Sequence, residues 1–244
     1  VGFNIEVDQE SVKGTLNYTD PNYNFLGNAL SYYLTSETND QPDQGYKNTI
    51  IGAGISTTFE QYNDVYTNIG INATHDDLQT LDSATASLKK QSGAFDEISG
   101  TYGFTFDKRN RSFMPTDGSI ISFNQSLPIY ADKSFIANAL SASAYKTITE
   151  DVIGATKIYF AAINGLGSDD VRLSKRRALS SSRLRGFEKG KVGPLDGKDH
   201  IGGNYAAALN FEAKLPNFFP ESTQTDIGFF LDFGNVWGVD YDDS

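Results

Sequence analysis

No cysteine occurs among the 244 residues, which excludes both a disulfide framework and a thiolate metal site. Histidine is nearly absent as well. His75 and His200 lie far apart in segments that read as loops, so polar loop residues are expected rather than a shared metal. Basic residues are scarce: 20 Lys and Arg against 31 Asp and Glu leave a net charge of −11, which argues against a nucleic-acid binder that needs a basic stripe. No stretch approaches the ~20 consecutive apolar residues of a membrane helix. The hydrophobic share, 39%, is modest for a globular core of this size. Neither shortage makes the chain soluble, because a membrane barrel hides its apolar residues at every second position. The start carries no signal-peptide pattern, and Val1 falls in or beside a strand, so a fragment cut at both ends is expected.

What the chain does have is alternation of large apolar residues with small or polar ones. In 225–237, Ile227, Phe229, Leu231, Phe233 and Trp237 share one parity, against Asp226, Gly228, Phe230, Asp232 and Gly234. In 203–215, Tyr205, Leu209, Phe211 and Leu215 oppose Asn204, Asn210, Glu212 and Lys214. Segments 95–107 and 64–75 repeat the pattern, 28–36, 49–59, 117–130, 134–148 and 152–164 show it more weakly, and 2–8 and 12–19 open the chain. That predicts about eleven strands, many of 10–14 residues. Soluble strands average five or six residues, whereas a tilted membrane strand needs roughly 9–11. The second face is mainly Gly, Ala, Ser, Thr and Asn, as suits an enclosed interior rather than bulk water. A soluble β-sandwich or β-helix is the competing architecture, and no fixed-length repeat supports a solenoid or propeller.

The connections sort into two sets. One side receives 37–46, 76–93, 131–133 and the long 166–202; the other receives 20–27, 60–63, 108–116, 149–151 and 216–223. Long loops on one side and shorter turns on the other match the outer-membrane asymmetry. Within 80–91, Ala84, Ala86, Leu88, Lys89 and Lys90 predict a short helix in an external loop, and Pro115, Thr116, Asp117 and Gly118 predict a tight turn.

The loop 166–202 contains Leu184-Arg185-Gly186-Phe187. Gly193-Pro194 follow, Gly202-Gly203-Asn204 open the next strand, and Glu212 comes late in it. Phe230 to Trp237 end the strand after that, and upstream stand Asp107-Lys108-Arg109-Asn110-Arg111 with Pro115, Asp117 and Gly118. In order and spacing these elements resemble the BamA family of outer-membrane protein assembly factors, over essentially the whole chain. The resemblance implies an antiparallel transmembrane β-barrel of sixteen strands, of which residues 1–244 would supply the third to the thirteenth. Periplasmic substrate-binding domains, two leading strands and three closing strands would then be absent, and with them the lateral gate. It also implies that the loop folds back into the lumen, so that Arg185 touches the inner wall.

Strand parity can be set beside that implication. Phe230 and Asp232 share a face opposite Phe229, Leu231 and Phe233, and Glu212 lies on the polar face of its own strand. Two carboxylates and one ring could therefore converge on one guanidinium. Gly186 would let the loop pack closely against the wall. The simpler alternatives are an exposed Arg185 and ordinary lumen carboxylates. Lys175, Arg176, Arg177 and Arg183 read as a solvated or lipopolysaccharide-facing stretch, and Asp240, Asp242 and Asp243 as a polar external loop rather than a cation site.

No enzymatic site is evident: the serines at 180–182 lack a nearby base, and Gly52-Ala53-Gly54 lacks the third glycine of a dinucleotide turn. No catalytic residue, metal or cofactor is expected. The resemblance implies a factor of the bacterial outer membrane that folds and inserts outer-membrane proteins. Its partners would be unfolded outer-membrane proteins, accessory lipoproteins, membrane lipid and lipopolysaccharide, and not nucleic acid. A related translocation or secretion transporter and a passive porin-like channel are the competing functions.

Overall fold

The computed structural model describes residues 1–8, 10–216, 218–219 and 226–240. Asp242, Asp243 and most of the 216–223 turn lie outside the described residues. Eleven strands form one sheet in which every neighbour is antiparallel. They are β1 (Gly2–Val7), β2 (Ser11–Asp20), β3 (Ala29–Gln41), β4 (Tyr46–Tyr62), β5 (Val65–Thr80), β6 (Gly93–Asp107), β7 (Gly118–Ala131), β8 (Phe135–Thr149), β9 (Val152–Gly165), β12 (Tyr205–Leu215) and β13 (Ile227–Trp237). Two-residue strands β10 (Leu195–Asp196) and β11 (Asp199–His200) pair with each other inside the long connection between β9 and β12. Strand order follows chain order, and the sheet does not close: β1 and β13 are its free edges.

The outward face is apolar and open. Phe229, Leu231 and Phe233 are each more than half exposed, and Leu34, Ile51, Ile71 and Ile158 are exposed on strands further round. A soluble monomer does not display so large a contiguous apolar surface, whereas hydrocarbon accepts it. The buried core lies on the concave side instead, in three clusters that each contain residues of the long connection. Leu173 and Ile201 join Tyr46, Leu78 and Leu88; Leu179 and Leu184 join Ala206, Ala208 and Val236; Val171 joins Phe135 and Ile163. The loop is the packing partner of the wall.

Two expected boundaries need correction. β3 and β4 run on to Gln41 and start at Tyr46, so only a 3-10 turn over Pro42–Gln44 remains of the loop expected at 37–46. β5 reaches Thr80, and His75 therefore stands in a strand, its ring 2.7 Å from the Asp96 carboxylate on β6; His200 likewise falls in β11. Alternation of apolar residues ends near residue 75 because the ribbon above the apolar band has no lipid to face. Backbone pairing continues without that pattern. The short helix is a single turn, α1 (Ala86–Lys89), capped by Thr85 and seated by the fully buried Leu88.

Candidate functional site

Arg185 is held by wall residues of β12 and β13. Its Nε and Nη2 donate to the two Asp232 oxygens at 2.7 and 2.5 Å, a fork-to-fork pair. Nη1 donates to Glu212 Oε1 at 2.9 Å, and the backbone N–H of Arg185 adds a further bond to Asp232 Oδ2 at 3.0 Å. The guanidinium carbon lies 3.9 Å from the Phe230 ring centroid. Register makes this convergence possible: Glu212 is the cross-strand partner of Phe230, and Asn210 that of Asp232. The Arg185 side chain is 28% exposed against 3% for Asp232, so the cation bridges lumen water and a dry wall.

Two participants escaped the sequence reading. Asn210 Nδ2 donates to Asp232 Oδ1 at 2.8 Å and to the Arg183 carbonyl at 2.7 Å, joining wall and loop backbone. Lys157 on β9 reaches Glu212 at 2.9 Å, so the carboxylate serves two cations. Asn210 lies on a face whose alternation reads as polar, and Lys157 falls in the weaker alternation of 152–164; neither type nor spacing distinguishes them from ordinary interior residues.

The other motif residues divide. Leu184 is buried against Val236 and its neighbours, whereas Phe187 is 57% exposed. Gly186 has φ +86°, and open space surrounds the position where a Cβ would stand. Its need is therefore a left-handed backbone, not the close approach expected of it. The close approach occurs at Gly234, where a Cβ would come within 2.7 Å of the Leu179 side chain. Gly203 exchanges backbone bonds with Arg177, and Asn204 Nδ2 donates to Asp240, whose other oxygen accepts the Val171 N–H. Asp240 is thus a tether between loop and wall. In the 108–117 turn the Asn110 side chain accepts the backbone N–H of Thr116 and Asp117, and Asp117 pairs with Lys146.

The basic front of the loop is not the solvated stretch expected. Arg176 is buried, Arg183 stacks 3.6 Å from the Tyr159 ring centroid, and Lys175 pairs with Glu97 at 3.0 Å. Arg172, unremarked in the sequence, is 96% buried and lies 3.6 Å from both Asp76 and Glu97. Apolar packing against the wall draws this stretch inward, where Asp76 and Glu97 meet Arg172 and Lys175 and the Tyr159 ring meets Arg183. Among the described residues no His, Asp and Glu cluster suits a metal, and the Ser180 hydroxyl lies 2.9 Å from that of Ser182.

An open antiparallel sheet, apolar outside and lined inside by a loop that arginines fasten, defines a segment of an outer-membrane β-barrel. The Omp85 superfamily domain model matches residues 1–244, and the chain belongs to that superfamily. The mouse protein "Sorting and assembly machinery component 50 homolog" is 27% identical over 168 residues, which is 65% of this chain and 35% of that protein. "Outer membrane protein assembly factor BamA" of Neorickettsia risticii (strain Illinois) is 24% identical over 207 residues, covering 83% of this chain and 28% of the relative. The crystal structure of BamA from Haemophilus ducreyi lacking POTRA domains 1–3 superposes with a TM-score of 0.85 at 23% identity, over 97% of this chain and 51% of that one. The chain thus spans about a third of the length of these curated relatives, and its fold is that of a BamA barrel segment.

Proposed function

We propose that this chain is the greater part of the barrel wall of an outer-membrane protein that folds and inserts other β-barrel proteins. Residues 1–244 act as one barrel domain, and periplasmic domains and the gate strands belong to the rest of the machine. Its partners are unfolded outer-membrane proteins, with accessory lipoproteins and the surrounding lipid and lipopolysaccharide. Relatives come from a bacterium and from eukaryotes, so a bacterial outer membrane is part of this proposal rather than of the family assignment. The work is binding and templating: no covalent step is involved and no cofactor is needed.

The observation that carries the reading is the Arg185 cluster. Four donors of one loop residue meet two inward carboxylates on adjacent strands. Such a joint fixes the loop in the lumen and keeps the wall in its working shape. The same loop packs three apolar clusters against the interior of the wall, which supports a fastened loop over an open water-filled lumen. Arg185→Glu in the full-length protein should unseat the loop, read as new protease cleavage within 180–190, and abolish insertion of a reporter barrel into vesicles. Unchanged cleavage and insertion would contradict the proposal.

A further inference from the structure

The Arg185 joint has a counterpart elsewhere on the wall. Around Arg185, Glu212 stands opposite Phe230 across β12 and β13, and Asp232 follows Phe230 by two residues. Around Arg172, Asp76 stands opposite Phe95 across β5 and β6, and Glu97 follows Phe95 by two residues. Each guanidinium meets both acids and lies over the ring, at 3.9 Å for Phe230 and 4.5 Å for Phe95.

The supporting residues repeat as well. An asparagine on a neighbouring strand donates to the aspartate at 2.8 Å in each joint: Asn210 to Asp232 and Asn48 to Asp76. A lysine pairs with the glutamate in each, Lys157 with Glu212 and Lys175 with Glu97. The aspartate and glutamate exchange places between the two, as do the directions of the paired strands. The same arrangement has been assembled twice, and both arginines belong to one loop.

The two joints grip different arcs. In the sheet order β5-β6-β7-β8-β9-β12-β13, strands β7, β8 and β9 separate the pairs that carry the acids. A segment fastened at both ends to separated arcs of a curved sheet acts as a tie across the chord. We infer that the connection between β9 and β12 is a two-ended cross-brace, with Arg172 and Arg185 as its two corresponding joints, and that it sets the curvature of the wall. Arg172, Asp76, Glu97 and Phe95 are the positioning residues of its second end. The brace does not rest on the assembly reading, because its test reads a distance and not insertion.

The test uses the full-length protein in lipid with spin labels on cysteines placed at Gln79 and Asn235, two exposed positions on β5 and β13. Opening the first joint with Arg185→Gln, or the second with Arg172→Gln plus Lys175→Gln, should each broaden the interlabel distance distribution about twofold by freeing one end of the tie. Broadening by Arg185→Gln alone would reduce the loop to a single pin and overturn the brace. An unchanged distribution in both variants would mean that the wall holds its own shape, and would overturn it too. Should the double substitution fail to fold, Glu97→Gln preserves volume and opens the same joint; it must broaden the distribution, and a wild-type width would refute the inference.

Discussion

The two arginine joints hold the same kinds of group at different depths. At Arg185 the ion contacts are short, 2.5 to 2.9 Å, and the guanidinium keeps some water. At Arg172 the ion pairs are longer, 3.6 Å, yet Arg172 is 4% exposed and Asp76 fully buried. Short contacts suggest that the first joint is the stronger. Burial argues the reverse for any substitution that removes one partner, because a charge left alone in a dry site has no water to turn to. Depth, more than contact length, sets what each joint contributes.

The largest effect is therefore expected at Asp76. Asp76→Ala leaves Arg172 with one distant acid and strips Asn48 and Ser174 of their acceptor. A loss of about 3–5 kcal/mol is expected, read from denaturant unfolding of the protein in micelles. Asp232→Ala should cost less, about 1.5–3 kcal/mol, since solvent reaches the freed Arg185. Equal losses would erase the distinction between the joints. Next comes the seat that lets the loop approach the Arg185 joint. Gly234→Val forces a side chain into Leu179 and should cost about 1–3 kcal/mol, while Gly228→Val on the same strand, whose Cβ would meet only an ordinary contact, should cost little.

The smallest effect concerns the loop's entry, outside both joints. The Ser134 N–H, donating at 3.0 Å, and after it the Lys133 ammonium hold the Asp169 carboxyl below its ordinary value. A depressed folded pKa stabilises above the unfolded value and loses that contribution as pH falls through the folded one. Hydrogen exchange at Ser134 should accelerate only below the usual carboxylate range. Acceleration near neutrality would assign the protection to something else.

Much of this was legible in the residues, and the gaps have physical causes. Parity of Phe229, Leu231 and Phe233 against Phe230 and Asp232 gives the two faces of β13, because lipid outside and a crowded interior inside impose period two. From Asp76 to Thr80 the outward apolar residues stop, and the last part of β5 becomes invisible to the pattern. Arg185 could be matched to Glu212 and Asp232 through a resemblance joined to parity. Arg172 had no motif around it, although a signal was present: Phe95 and Glu97 repeat the Phe230 and Asp232 spacing on an inward face. Gly186 illustrates the opposite error, since sequence alone cannot separate a glycine needed for φ from one needed for space.

The seating of the loop is tested most directly by chemistry the chain otherwise lacks. With no native cysteine among its 244 residues, Leu184→Cys and Phe187→Cys each carry a single thiol within this chain. Leu184 is 6% exposed and Phe187 57%. A membrane-impermeant maleimide should label position 184 about 100-fold more slowly than 187, corresponding to roughly 2.8 kcal/mol of opening free energy. Similar rates at the two positions would contradict a loop held against the inner wall.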